Sequence, residues 1–197
     1  MSVDVLQRFL PSEACVPFLK KWFGNYPIHI KIKKERNSKL GDYRKMPNKT
    51  HQITLNATLV PQLFFFVLTH ELAHLLAFEI YGRGILPHGK EWKQTYREML
   101  LESISVYETS LQPLILKFAK SPKANFMASP DLVRYFYGET MAENQVFIED
   151  LPTQSSFVYN GKRYILLGKK HRHYLCESTE NGRKYLFKSL ARVEKMG

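Results

Sequence analysis

Residues 61–82 read PQLFFFVLTHELAHLLAFEIYG, and this stretch decides the fold of the N-terminal half of the chain. It opens with a proline, which suits the first helical turn, and closes with a glycine, which commonly ends a helix. Apolar residues occupy nearly every side in between, a pattern typical of a helix buried in a protein core. We do not interpret it as a membrane span, because polar residues interrupt the apolar run: Gln62, His70, Glu71 and His74.

The core of this helix contains the pattern His-Glu-Leu-Ala-His at positions 70–74. Residues i and i+4 share one helical face, so His70 and His74 can both reach one metal ion at about 2.0–2.1 Å. Glu71 projects about 100° round the helix, beside a water that the metal activates, where its carboxylate can act as general base. The alternative is structural: two core histidines bonded to backbone carbonyls and Glu71 in an ion pair.

A catalytic zinc site needs a third protein ligand, and His88 is the nearest candidate. Gly82 and Gly84 would let the chain fold back, so that His88 approaches the metal from the start of the next helix. A helix-capping or exposed histidine is the alternative, and we expect Trp92, one turn further on, to be core packing. The other histidines fit less well, because they lie on predicted strands or in the distant C-terminal segment: His29, His51, His171 and His173.

The surrounding segments predict an α+β domain in which the HExxH helix packs on a small antiparallel sheet. IHIKIKK from residue 28 and HQITLNATL from residue 51 alternate apolar and polar residues, as half-buried strands do. We predict that these two strands pair antiparallel across a basic connection. Short helical pieces broken by Pro11 and Pro17 should precede them. A second helix should begin near Lys90, and a short one at Pro130.

The last fifty residues predict a second, small β-domain. Short apolar or aromatic runs alternate with turn residues, and Asn160-Gly161 and Asn181-Gly182 are strong hairpin signals. We predict five strands, for which an SH3-like barrel is one arrangement. The predicted domains are therefore 1–106 for the catalytic part, 107–143 for a helical connection and 144–197 for the basic β-domain.

The net charge of +11 is concentrated at the two ends of the chain. Residues 1–60 carry +7, residues 61–150 carry −3 and residues 151–197 carry +7. Such ends suit a polyanionic partner, because neutralised phosphates release counterions; the alternative is a solvated basic surface that aids solubility. The C-terminal tyrosines either stack on bases or face the core. The candidate nucleic-acid-binding residues are Lys33, Lys34, Arg36, Lys39, Arg44, Lys45, Lys162, Arg163, Lys169, Lys170 and Arg172.

Composition and cysteine content predict a cytoplasmic protein. With 44% hydrophobic and 24% charged residues, the chain has the composition of a globular protein. Cys15 and Cys176 form no CxxC pair, which excludes a disulfide framework or a four-cysteine zinc site and fits a reducing compartment. No signal peptide is recognisable at the N-terminus. Association with the nucleoid is compatible with the charge.

Together these motifs resemble the SprT-like metallopeptidase domain, the family that includes Spartan. The resemblance rests on HELAH at 70–74, HGKEWK at 88–93, LGDY at 40–43 and ITLN at 53–56, and it covers roughly residues 10 to 105. It implies a zincin-like fold, zinc ligands at His70, His74 and His88, and Glu71 as the catalytic base. The eukaryotic members of this family cleave proteins that are crosslinked to DNA, and DNA stimulates this activity. Many relatives carry a C-terminal CxxC zinc ribbon, which this chain lacks.

Our leading hypothesis is a zinc-dependent endopeptidase that holds one Zn2+ per chain and acts on proteins at nucleic acid. We expect a protein substrate, DNA as a partner, with single-stranded DNA as one candidate, and no membrane. One rival is a nucleic-acid-binding protein with a structural or vestigial zinc, although an intact Glu71 would have no use there. Another is a zinc hydrolase for small substrates. Tyr43 and Arg44 are weak candidates for stabilising the oxyanion, and the residues do not indicate the oligomeric state.

Overall fold

The computed structural model describes residues 3–34, 36, 39–138 and 141–196. They fall into two units, Met1–Leu132 and Val133–Gly197. The first unit combines helices with a small sheet and the second is built on a larger sheet, so the predicted combination of an α+β part and an all-β part is confirmed. The finer division at residues 106 and 143 stays a prediction; the boundary between the units falls inside the predicted connection.

Short helices precede the sheet of the first unit, as the prolines predict. Two 3-10 segments, Val3–Phe9 and Glu13–Cys15, lead into helix α1, Val16–Phe23. Leu19 and Trp22 of α1 are buried. This segment therefore contributes to the core of the first unit.

Three strands form the sheet of the first unit: β1 (Ile28–Lys33), β2 (Gly41–Lys45) and β3 (His51–Asn56). β3 lies in the centre, parallel to β1 and antiparallel to β2. The predicted antiparallel pairing of the first and last of these strands, and hence a wholly antiparallel sheet, is wrong. The basic connection contains a strand of its own, β2, which a tight turn folds back onto β3. β1 pairs with the remaining edge of β3, in the same direction as β3.

Helix α2, Pro61–Tyr81, runs through the core of the first unit with the predicted bounds and ends at Gly82, whose φ is 80°. It packs against α1, β2, β3 and a second long helix, α3 (Lys90–Glu102). By length and composition α2 would pass for a membrane span, but 67% of its 18-residue apolar window is buried inside the protein. The predicted core helix is therefore present, and it carries the HELAH pattern on its packed faces.

The helices that follow complete the first unit and lead to the second. α3 begins at Lys90, as predicted, and is followed by α4 (Gln112–Ala119) and α5 (Pro130–Gly138). Short 3-10 segments lie between them at Ile104–Val106 and Phe126–Ala128. The predicted helical character of the connection is thus present in α4 and α5.

The second unit contains a six-stranded antiparallel sheet rather than the predicted five strands. The strands are β4 (Gln145–Phe147), β5 (Ser156–Tyr159), β6 (Lys162–Lys170), β7 (His173–Ser178), β8 (Lys184–Lys188) and β9 (Arg192–Lys195), in the order β4-β9-β5-β6-β7-β8. The prediction joined β8 and β9 into one strand. A turn closed by the Ala191 amide on the Lys188 carbonyl separates them, and β9 pairs with β4 and β5 instead.

One face of this second sheet is its core, centred on Phe157, Leu166 and Cys176. The hairpin predicted at Asn160-Gly161 is confirmed, and both residues have the positive φ that this two-residue turn requires. The tyrosines divide between the two alternatives. Tyr164 is buried against Phe157, whereas Tyr159 and Tyr185 are exposed.

Candidate metal centre

Three histidines of the first unit bring their ring nitrogens to one point. His70 and His74 lie one turn apart on α2, and His88 comes from the loop between α2 and α3. The Nε2 atom of His88 lies 3.1 Å from Nε2 of His74 and 3.4 Å from Nε2 of His70. The ligand atoms of all three residues lie within 4.8 Å of one another. The fold thus assembles a group that can hold a metal ion from the residues that the sequence put forward as ligands.

The spacing of these nitrogens fits a tetrahedral ion. Ligands at 2.0–2.1 Å from a tetrahedral zinc stand about 3.3 Å apart, close to the two distances from His88. Hydrogen bonding alone accounts for the cluster less well. A neutral imidazole nitrogen is either a donor or an acceptor, yet Nε2 of His88 faces two other ring nitrogens at once. A shared cation satisfies all three lone pairs.

The surroundings keep the three imidazoles neutral, which is the form that binds metal. Burial, followed by the neighbouring His74 and His88, holds the pKa of His70 well below its usual range. Burial, with His88 as a second cause, lowers the pKa of His74 to about 3. Burial and then the charge of Lys93 lower the pKa of His88. No proton therefore competes strongly for these nitrogens near neutral pH.

The indole ring of Trp92 packs against the imidazole rings of all three histidines. Its ring centroid lies 4.7 Å from that of His70, 5.2 Å from that of His74 and 4.6 Å from that of His88. Trp92 itself is 0% exposed, as the prediction of core packing implied. Its contacts go further than that prediction, because the same packing restricts the rotamers of the three histidines. The signal was its position one turn after His88 in the sequence.

Glu71 lies on another face of α2, against strand β2. Its side chain is buried, and a Cβ atom placed on Gly41 of β2 would lie only 2.8 Å from its Oε1 atom. Burial and then the nearby charge of Asp42 raise the pKa of Glu71 from 4.5 to about 8, against the opposing charges of Arg36 and Lys39. A carboxylate in such a place is a stronger base than an ordinary glutamate.

An ion-pair network holds strand β2 beside Glu71, and the sequence did not predict it. The Arg36 guanidinium lies 2.5 Å from the Asp42 carboxylate and donates to the side-chain oxygen of Asn56 at 2.9 Å. Asn56 in turn donates to the carbonyl of Lys39 at 2.9 Å. Asp42 also pairs with Arg44 at 3.3 Å. The network joins the end of the connection to β2 and β3.

A fourth histidine, His51, is buried on strand β3 and is connected to the three-histidine group through Tyr43. Its Nδ1 atom lies 3.0 Å from the Tyr43 hydroxyl and its Nε2 atom lies 2.8 Å from Nζ of Lys45. Glu79 pairs with Lys45 at 2.8 Å. The Tyr43 ring lies nearly parallel to the His74 ring, with centroids 6.1 Å apart. The hydroxyl of Tyr43, a weak oxyanion candidate from the sequence, is therefore hydrogen-bonded to His51. Apart from the alternation of residues on a strand, no sequence pattern indicated this contact.

The basic residues that the sequence assigned to nucleic acid lie in both units. Three of them make ion pairs within the protein: Arg36 and Arg44 with Asp42, and Lys45 with Glu79. Arg44 is nevertheless exposed, and so are the others: Lys33, Lys34, Lys39, Lys162, Arg163, Lys169, Lys170 and Arg172. Their role in binding nucleic acid stays a prediction.

Comparison with known proteins agrees with the resemblance in the sequence. Residues 17–109 match the model of the SprT-like family. A protein named Protein SprT from Vibrio parahaemolyticus is 49% identical over 47 residues, which are 22% of this chain and 28% of that protein. Protein SprT from Glaesserella parasuis is 53% identical over 34 residues, which are 17% of this chain and 21% of that protein. No solved structure matches.

The chain therefore carries an SprT-like domain at residues 17–109. This domain contains the three strands of the first unit, α2, α3 and every residue of the metal centre described above. The chain spans only about a quarter of the length of the two curated relatives, 28% and 21%. The six-stranded sheet of the second unit lies outside the family match.

Proposed function

We propose that the SprT-like domain is a zincin-like zinc peptidase in which His70, His74 and His88 hold one Zn2+ and Glu71 is the general base. The convergence of three neutral ring nitrogens beside a buried carboxylate carries this proposal. Three protein ligands leave one tetrahedral position open, as catalytic zinc sites do. A structural zinc site has no use for a carboxylate in this place.

The reaction is hydrolysis of a peptide bond. When bound, zinc supplies Lewis-acid activation of a water molecule and of the scissile carbonyl. Glu71 takes a proton from the attacking water as the C–O bond forms, and holds it on a carboxyl oxygen. It then delivers this proton to the nitrogen of the leaving amine as the C–N bond breaks. The raised pKa of Glu71 supports both roles, since the same group must accept and return a proton near neutral pH.

We propose that the substrate chain lies along strand β2. β2 is an edge strand of its sheet, and its pairing with β3 leaves the backbone groups of every second residue facing away from β3. The backbone of Gly41, which lies next to Glu71, is one of these groups. An extended peptide added at this edge would pass close to the general base, which favours a protein substrate over a small molecule.

The test compares the wild-type protein with the Glu71→Gln variant, each loaded with zinc and assayed on unfolded casein and on a basic DNA-binding protein. Bound zinc is measured by mass spectrometry. We expect equal zinc content and a loss of cleavage of at least about 100-fold, the usual contribution of a general base. Substantial turnover by Glu71→Gln would refute the assigned role. Absence of cleavage by a zinc-loaded wild type would favour a binding protein with a structural zinc.

We further propose that the protein acts on substrates at DNA, single-stranded DNA included. The exposed lysines and arginines in both units support this, since such side chains follow phosphates. Cleavage of the DNA-binding substrate is compared with and without single-stranded DNA at low and high salt. Stimulation that salt abolishes is expected. Cleavage that is indifferent to DNA would assign these charges to solubility.

We also propose a cytoplasmic location, where nucleoid association is compatible with the charge, and an SH3-like arrangement of the second unit. Cys15 and Cys176 are both free and buried, which suits a reducing compartment. Fractionation of the native host with DNase treatment tests the location. Recovery from an oxidising compartment would contradict it.

A further inference from the structure

The backbone of strand β2 approaches Glu71 more closely than any residue with a side chain would allow. A Cβ atom placed on Gly41 would lie 2.8 Å from Oε1 and 3.0 Å from Cγ of Glu71. It would also lie 2.8 Å from Cγ1 of Val67, one turn earlier on α2. Two side chains of the same buried helix would therefore have to move at once. Only glycine permits the observed distance between β2 and α2.

The backbone of β2 beside Glu71 is not used in pairing with β3. That pairing joins the Asn56 amide to the Leu40 carbonyl and the Met46 amide to the Thr50 carbonyl. In this alternation the amides of Gly41 and Tyr43 face away from β3. A buried carboxylate packed against this strand has few alternative rotamers, because the Gly41 backbone occupies the space beside it.

The residue that follows Gly41 is itself anchored. Asp42 pairs with Arg36, and Arg36 also donates to Asn56 on β3. The side chain of Asp42 is only 14% exposed. Strand β2 is therefore held on the side of the helix that carries Glu71, independently of the three histidines.

We propose that Gly41 and the backbone of β2 around it form the positioning element for Glu71. Gly41 allows the close approach, and the packed strand restricts the rotamers of the carboxylate. The catalytic meaning of this element rests on the proposed peptidase function. The coupling between Gly41 and Glu71 is a property of the fold and is measurable without any activity.

The activity test uses Gly41→Ala with Gly138→Ala as its matched control. Gly138 is exposed at the end of α5, and a Cβ atom there would meet no atom within 4 Å. We expect Gly41→Ala to retain zinc and to lower kcat at least tenfold with little change in KM, and Gly138→Ala to behave as wild type. The double variant Gly41→Ala/Val67→Ala removes the contact with Val67 while leaving the contact with Glu71. It should recover thermal stability but not kcat. Recovery of kcat in the double variant would overturn the proposal.

A second test reads stability instead of turnover. Urea midpoints of metal-free wild type, Gly41→Ala, Glu71→Ala and Gly41→Ala/Glu71→Ala are compared. We expect Gly41→Ala to lower the midpoint by clearly less in the Glu71→Ala background, because one of the two contacts is gone there. Equal shifts in both backgrounds would refute the positioning element. Absence of Glu71-dependent cleavage in wild type would refute only the peptidase function, because the stability comparison does not require activity.

Discussion

Replacing Glu71 by glutamine should change how the stability of the metal-free protein depends on pH. Burial, followed by the charge of Asp42, raises the pKa of Glu71 from 4.5 to about 8. The unfolded chain keeps the ordinary value, so the folded state binds this proton more tightly. The stability contributed by the proton is fully present below pH 4.5 and is lost as the pH rises through 8. Glutamine resembles the protonated carboxyl in shape, carries no charge and loses nothing over this range.

The size of the effect follows from the shift in pKa. One pKa unit corresponds to about 1.4 kcal/mol, so the shift from 4.5 to about 8 amounts to on the order of 5 kcal/mol once the pH exceeds 8. At pH 7 most of that difference should already be present, and at pH 4.5 almost none of it. Zinc should reduce the difference in stability between wild type and Glu71→Gln, because a cation close to Glu71 favours the charged form of its carboxylate.

The assay is urea unfolding of both proteins in the presence of a chelator, at several pH values between 5 and 8. Both tryptophans of the chain, Trp22 and Trp92, lie in the first unit, so their fluorescence reports the unit that contains Glu71. The two proteins differ only at position 71, so the difference between their stabilities isolates the effect of this side chain. A stability difference that stays constant across this range would refute the assignment of a raised pKa to Glu71.

Three further predictions address other parts of the molecule. His88→Ala should lower zinc occupancy measured after dialysis against a weak chelator, because one of three ligands is lost, whereas His29→Ala on the exposed face of β1 should not; full loading of His88→Ala would contradict its role. Tyr43→Phe should lower the free energy of unfolding by about 1 kcal/mol, since it removes the hydroxyl partner of the buried His51; an unchanged urea midpoint would argue against that hydrogen bond. Phe157→Ala should cost the second unit about 3–5 kcal/mol, because Phe157 is 0% exposed in its core. Calorimetry should find that cost while zinc content stays the same, and a loss of zinc would contradict the division into units.

The parts that the sequence predicted well depend on local periodicity. Helix α2 followed from an apolar run bounded by Pro61 and Gly82, and its pattern placed His70 and His74 on one face without any tertiary information. His88 could be predicted as the third ligand because the glycines after α2 allow the chain to fold back towards His70 and His74. These predictions required only helical geometry and the number of ligands that a metal needs.

The parts that the sequence missed depend on contacts between distant residues. Strand β2 reads GDYRK and has no apolar alternation, because it is an edge strand held by Arg36 and Asp42 rather than by buried side chains. Because β2 was not recognised as a strand, β1 was predicted to be antiparallel to β3, whereas it is parallel. The extra strand of the second unit was hidden by a turn that contains no glycine or proline. The contact between Gly41 and Glu71 joins residues thirty positions apart, and no local pattern encodes it.

The close approach of the Gly41 backbone to Glu71 also gives this protein a built-in spectroscopic probe. The chemical shift of an amide proton responds to the charge of a neighbouring group. A single backbone resonance of an otherwise unmodified chain would therefore follow the ionisation of the carboxylate, and inhibitors that displace Glu71 would be recognised in a nitrogen-15 correlation spectrum before any substrate is known.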